Sequence, residues 1–257
     1  MEILIGIVVF IYGSIFGSFY NVVGYRLPKG ISLLKPKGSF CPKCKHELRW
    51  YELIPIISFV IQKGKCRSCG KKIAIFYPLI ELLTAIMFLT SYIIFGLSME
   101  FVIALLLSSY FVIVIVSDVK YMVIPDEVTA FFAFAILFVS IIAYGPLKTV
   151  DNLLAGSLLF IIVFIFMKIT SYMFKKESLG GGDIKLEFVV GLILGFLNGM
   201  YSIFIGSVIA LPIALINQKK NNTNMIPFGP FLLLGAIIIY FFNIDVMDII
   251  KELTYLF

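Results

Sequence analysis

Charged residues are scarce in this chain. Only 14% of its 257 residues are Asp, Glu, Lys or Arg, whereas 61% are hydrophobic and the mean hydropathy is +1.05. Soluble domains carry about 25% charged residues and are closer to half apolar. The composition therefore excludes an ordinary soluble protein and indicates a protein with several membrane spans. Low-complexity tracts and solenoid-type repeats are also missing from the sequence.

Basic residues are missing from the first part of the chain. The first charge is Glu2, and the apolar run Ile3–Val23 is long enough to cross a membrane. We therefore expect a membrane helix here rather than a cleavable signal peptide. The net charge of +6 could suggest a nucleic-acid partner. We expect none, because the basic residues lie in loops, where they set the orientation of the spans in a lipid membrane.

Runs with few charged residues predict an all-α polytopic membrane protein with about eight spans. The predicted spans are Ile3–Val23, Phe76–Ser98, Phe101–Ser117, Val128–Tyr144, Asn152–Phe174, Ile184–Asn198, Tyr201–Asn217 and Met225–Asn243. The uncharged run from Phe188 to Gln218 would be about 46 Å long as one helix, against a hydrocarbon core of about 30 Å. We therefore divide it near Gly195, Asn198 and Gly199.

Lysine and arginine are distributed unevenly along the chain. Residues 24–75 hold 12 of the 21, so the positive-inside rule predicts that this segment is cytoplasmic. With eight spans, both termini then face out. Asp118, at the end of the third span, and Asp183, at the start of the sixth, are predicted to lie at the same cytoplasmic face.

Cysteine occurs only four times, and all four lie in this basic segment. Cys41 and Cys44 form one CxxC pair, Cys66 and Cys69 form a second pair, and 21 residues separate the two motifs. Four thiolates make a closed tetrahedral Zn²⁺ site, which is structural rather than catalytic. The gap is slightly longer than is usual for a zinc ribbon. Free thiols or disulfides are the alternative, and His46 is a possible substitute ligand.

The cysteines also predict how the chain is divided. A segment of about 50 residues is too small for a sizeable apolar core, and a metal would supply the missing folding energy. We predict a first transmembrane helix at residues 1–23, a small zinc-ribbon-like cytoplasmic loop domain at residues 24–75 and a seven-helix membrane core at residues 76–257.

Two carboxylates carry the predicted chemistry. Asp118 and Asp183 both lie at ends of apolar segments, where a charge is costly and indicates a function. Two carboxylates within hydrogen-bond reach share a proton. One can then take a proton from water while the other polarises a peptide carbonyl, as in aspartic proteases.

The residues around this pair have two interpretations. The glycines Gly180 to Gly182 tolerate positive φ and would let a substrate strand approach closely. Alternatively, they form a flexible loop, and Asp183 caps the helix that follows. Asp126 is a third acidic candidate, but its position after Pro125 is more typical of an N-cap for the fourth span.

Several motifs of the sequence resemble the type IV prepilin peptidases, the GxGD family of intramembrane aspartyl proteases. The central motifs are Asp118-x6-Pro125-Asp126 and Gly180-x-Gly182-Asp183. Others occur in the family's order: Gly17-Ser18-Phe19-Tyr20-Asn21, Tyr25-Arg26-Leu27-Pro28, Tyr77-Pro78-Leu79-Ile80-Glu81 and Pro227-Phe228-Gly229-Pro230. The resemblance implies that Asp118 and Asp183 are the catalytic aspartates. It also implies that Gly180, Gly182 and Lys185 belong to the active-site loop.

The resemblance further implies a substrate and a place of action. Members of this family cut the basic leader from prepilins or pseudopilins at the cytoplasmic face of the bacterial inner membrane. The long cysteine-bearing loop is similar to that of bifunctional bacterial members. These also N-methylate the new amino terminus with S-adenosylmethionine as the methyl donor. The resemblance implies no particular substrate and no oligomeric state.

Three alternatives stay open at this point. The chain could be a peptidase without methylation activity, since it has no glycine-rich methyl-donor fingerprint of the soluble type. It could be a transporter or channel with a zinc-bearing loop, although the sequence shows no inverted-repeat pair of broken helices. It could also be a structural membrane scaffold in which Asp118 and Asp183 only cap helices.

Overall fold

The structure is a computed structural model that describes residues 1–34, 38–175, 179–221, 226–248 and 251. Its regular elements in these residues are helices, accompanied by two isolated β-bridges and no strand. The chain separates into two compact units, Met1–Leu97 and Ser98–Phe257. The predicted all-α class is confirmed, whereas the predicted division at residues 23 and 75 stays a prediction.

The first unit contains three α-helices: α1 (Glu2–Arg26), α2 (Ile57–Ile61) and α3 (Phe76–Phe95). α1 and α3 pack closely because α1 presents glycines at their crossing. A Cβ on Gly13 would lie 2.7 Å from Cα of Ala85, and one on Gly17 would lie 2.8 Å from Cα of Glu81. Small residues of this kind let the backbones of membrane helices approach each other.

The second unit contains five helices: α4 (Met99–Tyr121), α5 (Asp126–Phe174), α6 (Gly181–Leu194), α7 (Phe196–Asn221) and α8 (Gly229–Phe241). α4 is packed against α5 and α8, and more of its length is buried than in any other long apolar helix that the structure describes. α4 therefore lies in the core of this unit, and its last turn brings Asp118 to the edge of that core.

Glycines interrupt the helices of the second unit at two predicted places. In α5, Gly145 has a non-helical φ of 81° and is followed by Pro146, which separates the predicted fourth and fifth spans. Gly195, with a φ of 76°, ends α6 before α7 begins at Phe196. Such left-handed φ values cost glycine little. The long run from Phe188 to Gln218 is therefore broken where the sequence predicts it.

Helices occur at all eight predicted spans, although Met225, the predicted start of the last, lies outside the described residues. By length and composition, five helices of the described chain could cross a membrane. These segments are Glu2–Lys29, Phe76–Phe95, Met99–Tyr121, Asp126–Phe174 and Phe196–Lys219. The kinked α5 counts once among them, and α6 and α8 are shorter. The chain is thus a multi-pass membrane protein, and eight crossings stay a prediction.

Close helix contacts fix the position of α6. A Cβ on Gly191 would lie 2.6 Å from Cα of Gly156, so α5 and α6 touch through their backbones. The contact between α7 and α8 is of the same kind, since a Cβ on Gly206 would lie 2.6 Å from the Phe231 carbonyl oxygen. Bulkier residues at these crossings would push the helices apart, because the neighbouring atoms are backbone.

Candidate active site and metal centre

Asp118 lies in the last turn of α4, where its side chain is held by the start of another helix. The residue is 6% exposed. α4 ends at Tyr121 because Met122 adopts a left-handed φ of 53°, and the N–H of Met122 donates to the Asp118 carbonyl. The Oδ2 atom of Asp118 accepts a hydrogen bond of 3.2 Å from the N–H of Gly229, the first residue of α8. The carboxyl is therefore fixed at the end of α4.

Asp183 lies in the first turn of α6. Gly180 is the N-cap residue, and the Asp183 N–H donates to its carbonyl over 3.1 Å. A Cβ on Gly180 would lie 3.2 Å from the Asp183 Oδ2 atom, so the carboxyl folds back over this glycine. Gly180 takes the N-cap position, and the Asp183 carboxyl interacts with the backbone of this glycine. The alternative of Asp183 as a capping residue therefore stays open.

Of the three glycines before Asp183, Gly180 and Gly182 lie close to a side chain, Gly181 faces open space, and none has a positive φ. Gly180 has an ordinary φ of −70°, and neither Gly181 nor Gly182 has a positive φ. A Cβ on Gly182 would lie 3.0 Å from the Cβ of Ile124. The positive φ that glycine tolerates is not used here, because the chain enters α6 directly after Gly180.

Ile124 connects the two aspartate-bearing segments. It lies in the turn between α4 and α5 and is 7% exposed. Gly182 packs against its Cβ, and a Cβ on Gly229 would lie 2.8 Å from its Cδ1 atom. The end of α4 and the starts of α6 and α8 therefore meet around one side chain. Asp118 and Asp183 are brought close enough for their charges to interact.

Lys185 lies outside this aspartate pair. Its Nζ atom is 2.7 Å from both carboxylate oxygens of Asp126, and the two side chains are 47% and 68% exposed. Asp126 is the first residue of α5, and the N-cap position is taken by Pro125. The expectation that Asp126 caps this helix is therefore wrong. In the structure it holds Lys185 at the exposed start of α6.

The four cysteines of the first unit form a cluster that could hold a metal ion. Their Sγ atoms all lie within 4.8 Å of one another, and those of Cys44 and Cys66 are 4.0 Å apart. Tetrahedral zinc with Zn–S bonds of about 2.3 Å sets sulfur atoms about 3.8 Å apart. The cluster therefore fits one tetrahedral metal ion. All four cysteines are free, so the predicted alternative of two disulfides is wrong.

Two similar turns build this cluster. The Cys41 N–H donates to the His46 carbonyl, and the Lys45 N–H donates to the Cys41 carbonyl. In the second turn, the Cys66 N–H donates to the Lys71 carbonyl, and the Gly70 N–H donates to the Cys66 carbonyl. A left-handed residue completes each turn, Lys45 in the first and Gly70 in the second. The CxxC repeat of the sequence is therefore also a repeat of backbone structure.

His46 lies beside the cysteine cluster but has another partner. Its Nε2 atom is 3.4 Å from Oε2 of Glu52, which is 6% exposed. The backbone N–H of Arg49 donates to the same oxygen over 2.9 Å. This hydrogen bond, helped by His46, holds the pKa of the Glu52 carboxyl below its usual value. His46 supports the loop through Glu52, and the four sulfur atoms could hold a metal ion without it.

Sequence reasoning missed Glu187 and placed Glu81 in a motif without a role of its own, and the structure buries both residues. Glu81 of α3 is 9% exposed, and its Oε2 atom accepts a hydrogen bond of 2.7 Å from the N–H of Ile56. Glu187 of α6 is 1% exposed. Both are acidic residues within apolar stretches, which is a signal of function that the sequence contains. Glu187 also lies four residues after Asp183, the spacing of one helical face.

The comparison with known families covers both parts of the chain. Residues 11–95 match the bacterial peptidase A24 N-terminal domain, and residues 105–215 match the type IV leader peptidase family. The first match contains the four cysteines and Glu81. The second contains Asp118 and Asp183. No solved structure matches the chain.

Curated relatives resemble the chain over nearly their whole length. The "Prepilin leader peptidase/N-methyltransferase" of Bacillus subtilis is 36% identical over 245 residues, which are 94% of this chain and 96% of that protein. The protein of the same name from Vibrio cholerae is 32% identical over 94% of this chain and 98% of its own length. In Escherichia coli, the "Type 4 prepilin-like proteins leader peptide-processing enzyme" is 33% identical over 88% of this chain and 89% of its own. The chain therefore belongs to the type IV leader peptidase family.

Proposed function

We propose that this protein cleaves the basic leader from type IV prepilins or pseudopilins with Asp118 and Asp183 as its catalytic pair. The observation that carries the proposal is the convergence of two acidic side chains from separate helices, α4 and α6, at one end of the second unit. The family of the chain supplies the reaction class, which is peptide hydrolysis. The prepilin substrate is inferred from the names of the relatives.

The two carboxyls can divide the chemistry between them. In a close pair only one carboxyl ionises easily. The ionised member takes a proton from water, and the resulting hydroxide attacks the scissile carbonyl carbon while the protonated member donates to its oxygen. Breaking the C–N bond then delivers a proton to the leaving amine, so the pair returns to its starting protonation. The reaction consumes one water and needs no other nucleophile.

The proposed pair is asymmetric. Both carboxyls have a backbone donor, which is Gly229 of α8 for Asp118 and Gly180, at the start of its own helix, for Asp183. The charge of Asp118 disfavours a second charge on Asp183. We infer that Asp118 is the member that stays ionised at rest and takes the proton from water. Asp183 then acts as the acid that polarises the carbonyl.

We also propose that the protein methylates the amino terminus that cleavage creates. Relatives that match over nearly the whole chain carry both activities in their names. The methyl donor would be S-adenosylmethionine, which supplies a methyl group to the new α-amino nitrogen, and that nitrogen loses a proton. The match of the first unit to the bacterial N-terminal domain supports a second activity there.

For the cysteine cluster we propose a structural Zn²⁺ ion. Four thiolates with spacings that fit tetrahedral coordination leave no ligand position open for catalysis. The excess of basic residues around the cluster supports a cytoplasmic location. We accordingly propose that the protein lies in the bacterial inner membrane with its active site facing the cytoplasm.

A cleavage assay with the purified protein in lipid tests the proposal. Wild type should release the leader from a prepilin, and Asp118→Asn and Asp183→Asn should each abolish cleavage while leaving the Tm nearly unchanged. Asp151→Asn is the matched control, because this aspartate is exposed in the middle of α5. Turnover by a folded Asp118→Asn or Asp183→Asn variant would refute the assignment.

The methylation proposal has its own readout. With S-adenosylmethionine present, mass spectrometry should find one added methyl group on the first residue of the mature substrate. The aspartate variants, given a substrate already cut, should still methylate it. An unmethylated product of wild type would show that the protein is a peptidase only.

A further inference from the structure

Glu187 is a carboxyl that the proposed reaction does not use, although it lies beside the site. It is on α6, four residues after Asp183, and is 1% exposed. Residues at this spacing lie on one face of a helix with Cβ atoms about 5–6 Å apart. Glu187 therefore lies one helical turn further into the protein than Asp183, on the same face.

The Glu187 carboxyl has no hydrogen-bond partner among the described residues. Neither of its oxygens is bonded, and no salt bridge of the described chain includes it. An ionised carboxylate without a partner in an apolar interior is very costly, and such a group becomes neutral instead. We take Glu187 as the neutral acid, which offers one O–H donor.

Two titratable groups face Glu187 closely enough to interact with its charge. They are Asp183, on its own helix, and Tyr110 of α4, which is fully buried. The Tyr110 hydroxyl is already engaged with the hydroxyl of Thr129, 3.0 Å away. Of these two groups, Asp183 is therefore the one that can accept the O–H of Glu187 once Asp183 is ionised.

The other titratable groups around α6 have partners of their own. Asp118 of α4 interacts with Asp183 and accepts from Gly229, and Asp126 of α5 pairs with Lys185. On α8, Tyr240 donates to the Glu100 carbonyl. On α7, Tyr201 stacks on a phenylalanine and is 37% exposed. None of these contacts provides a cation for Glu187.

We propose that Glu187 is a positioning residue, whose neutral carboxyl donates its O–H to Asp183 when Asp183 becomes ionised during turnover. The inference rests on the proposed function, in which Asp183 gives up its proton as the tetrahedral intermediate forms. At that moment a carboxylate appears one helical turn from a free donor. The three side-chain torsions of glutamate let the O–H reach it, and no proton has to leave Glu187.

A purely structural role makes the same prediction for stability but the opposite one for activity. Replacing an unpaired buried carboxyl by an apolar residue of similar size is neutral or stabilising. If Glu187 only fills space, Glu187→Leu leaves turnover by the folded protein unchanged. If Glu187 serves Asp183, the same variant keeps or raises the Tm and still loses activity.

The experiment compares Glu187→Leu and Glu187→Gln with wild type in the prepilin cleavage assay. Leucine removes the donor, so kcat should fall about ten- to hundredfold, the value of one hydrogen bond to a charged group. KM should stay the same, and the alkaline limb of the pH–rate profile should move to higher pH, because ionised Asp183 loses its donor and Asp183 therefore keeps its proton to higher pH. Glutamine keeps an N–H donor and should retain kcat within about threefold of wild type.

Each result decides the proposal. Wild-type kcat and pH profile in Glu187→Leu would overturn it, and so would a Glu187→Gln variant as inactive as the leucine variant. Glu187→Met repeats the measurement if the leucine variant does not accumulate. Asp183→Asn separates the two hypotheses. If it is inactive while Glu187→Leu is fully active, only the positioning role fails. If Asp183→Asn cleaves normally, the catalytic pair fails and Glu187 has no role in it.

Discussion

The backbone N–H of Gly229 donates a hydrogen bond of 3.2 Å to the side chain of Asp118, 111 residues earlier in the chain. Gly229 is the first residue of α8, so the carboxyl lies at a helix N-terminus. The unpaired N–H groups and the partial positive charge there stabilise an anion. The start of α8 therefore fixes the geometry of Asp118 and favours its charged form.

Gly229→Ala should reduce cleavage by about tenfold or more. The added Cβ would lie 2.8 Å from Cδ1 of Ile124, 3.1 Å from Cγ1 of Val114 and 3.3 Å from Oδ2 of Asp118. Something must move, and displacement of a catalytic group by even about 1 Å is costly in rate. Steady-state kinetics on a prepilin substrate measure the loss as a fall in kcat.

The double variant Gly229→Ala with Ile124→Val is the control for this effect. Valine lacks the Cδ1 atom that makes the shortest contact, so part of the lost activity should return. Ile124→Val alone should cost only about 0.5–1.5 kcal/mol of stability. Equal activity of Gly229→Ala and wild type would show that α8 does not position Asp118.

Two neighbouring glycines provide a second test of the site. Gly182→Ala places a Cβ 3.0 Å from the Cβ of Ile124, whereas Gly181→Ala points into open space. Both residues are in the first turn of α6 and differ only in what surrounds them. We expect Gly182→Ala to lower kcat by about tenfold and Gly181→Ala to leave it unchanged. The same kinetic assay compares them, and an equal loss in both would mean that the helix start, rather than the Ile124 contact, is sensitive.

Metal removal should unfold the cysteine loop first. Metal analysis should find about one zinc per chain, and Cys41→Ser or Cys66→Ser should lose it, because a closed site needs all four sulfurs. Hydrogen exchange in residues 38–75 should then rise while α4 to α8 stay protected.

His46→Ala is the control for the ligand set. His46 contacts Glu52, so this variant should keep its zinc and lose only local support for the loop. If His46→Ala loses the metal while a single cysteine variant keeps it, the four-sulfur assignment is wrong. A metal-free preparation with an ordered loop would contradict the structural role.

Glu81 should anchor the turn before α2. Its carboxylate accepts the N–H of Ile56, which is held at an unusual left-handed φ of 62°. Glu81→Leu removes the acceptor and should lower the local opening free energy by about 1–3 kcal/mol. Faster amide exchange at residues 53–62 measures this. Glu81→Gln keeps an oxygen acceptor and should exchange much more slowly than the leucine variant, and identical rates in the two would exclude the anchoring role.

The lengths of the apolar runs and the positions of the charges were sufficient for most of the secondary structure. The eight apolar runs all contain helices. The run from Phe188 to Gln218 is too long to cross the bilayer as one helix, and the break at Gly195 lies where this length predicted one. Local conformation was harder to predict. The sequence indicated that Gly180 to Gly182 tolerate positive φ, but none of them uses it, and Gly182 instead packs against the Ile124 side chain. A contact between distant segments leaves no local signal in the sequence.

The family is confirmed by the comparisons, and the motifs that predicted it lie in the matched ranges or beside them. The catalytic pair stays a prediction, with geometry that supports it. The roles of Gly229 and Glu187 could not be assigned from sequence, although each had a signal. Gly229 is in a motif, and Glu187 is a charge within an apolar segment four residues after Asp183.

The sequence by itself determined the membrane class, the helical segments and the four-thiol cluster. These depend on composition, on the lengths of apolar runs and on spacings within short stretches of chain. Only the tertiary structure decided that α8 donates to Asp118 and that Ile124 packs between Gly182 and Gly229. It also decided that Glu187 is buried with no hydrogen-bond partner among the described residues. The physical reason is that hydrogen bonding, close packing and the loss of solvent depend on which distant segments meet, and that is decided by packing of the whole unit.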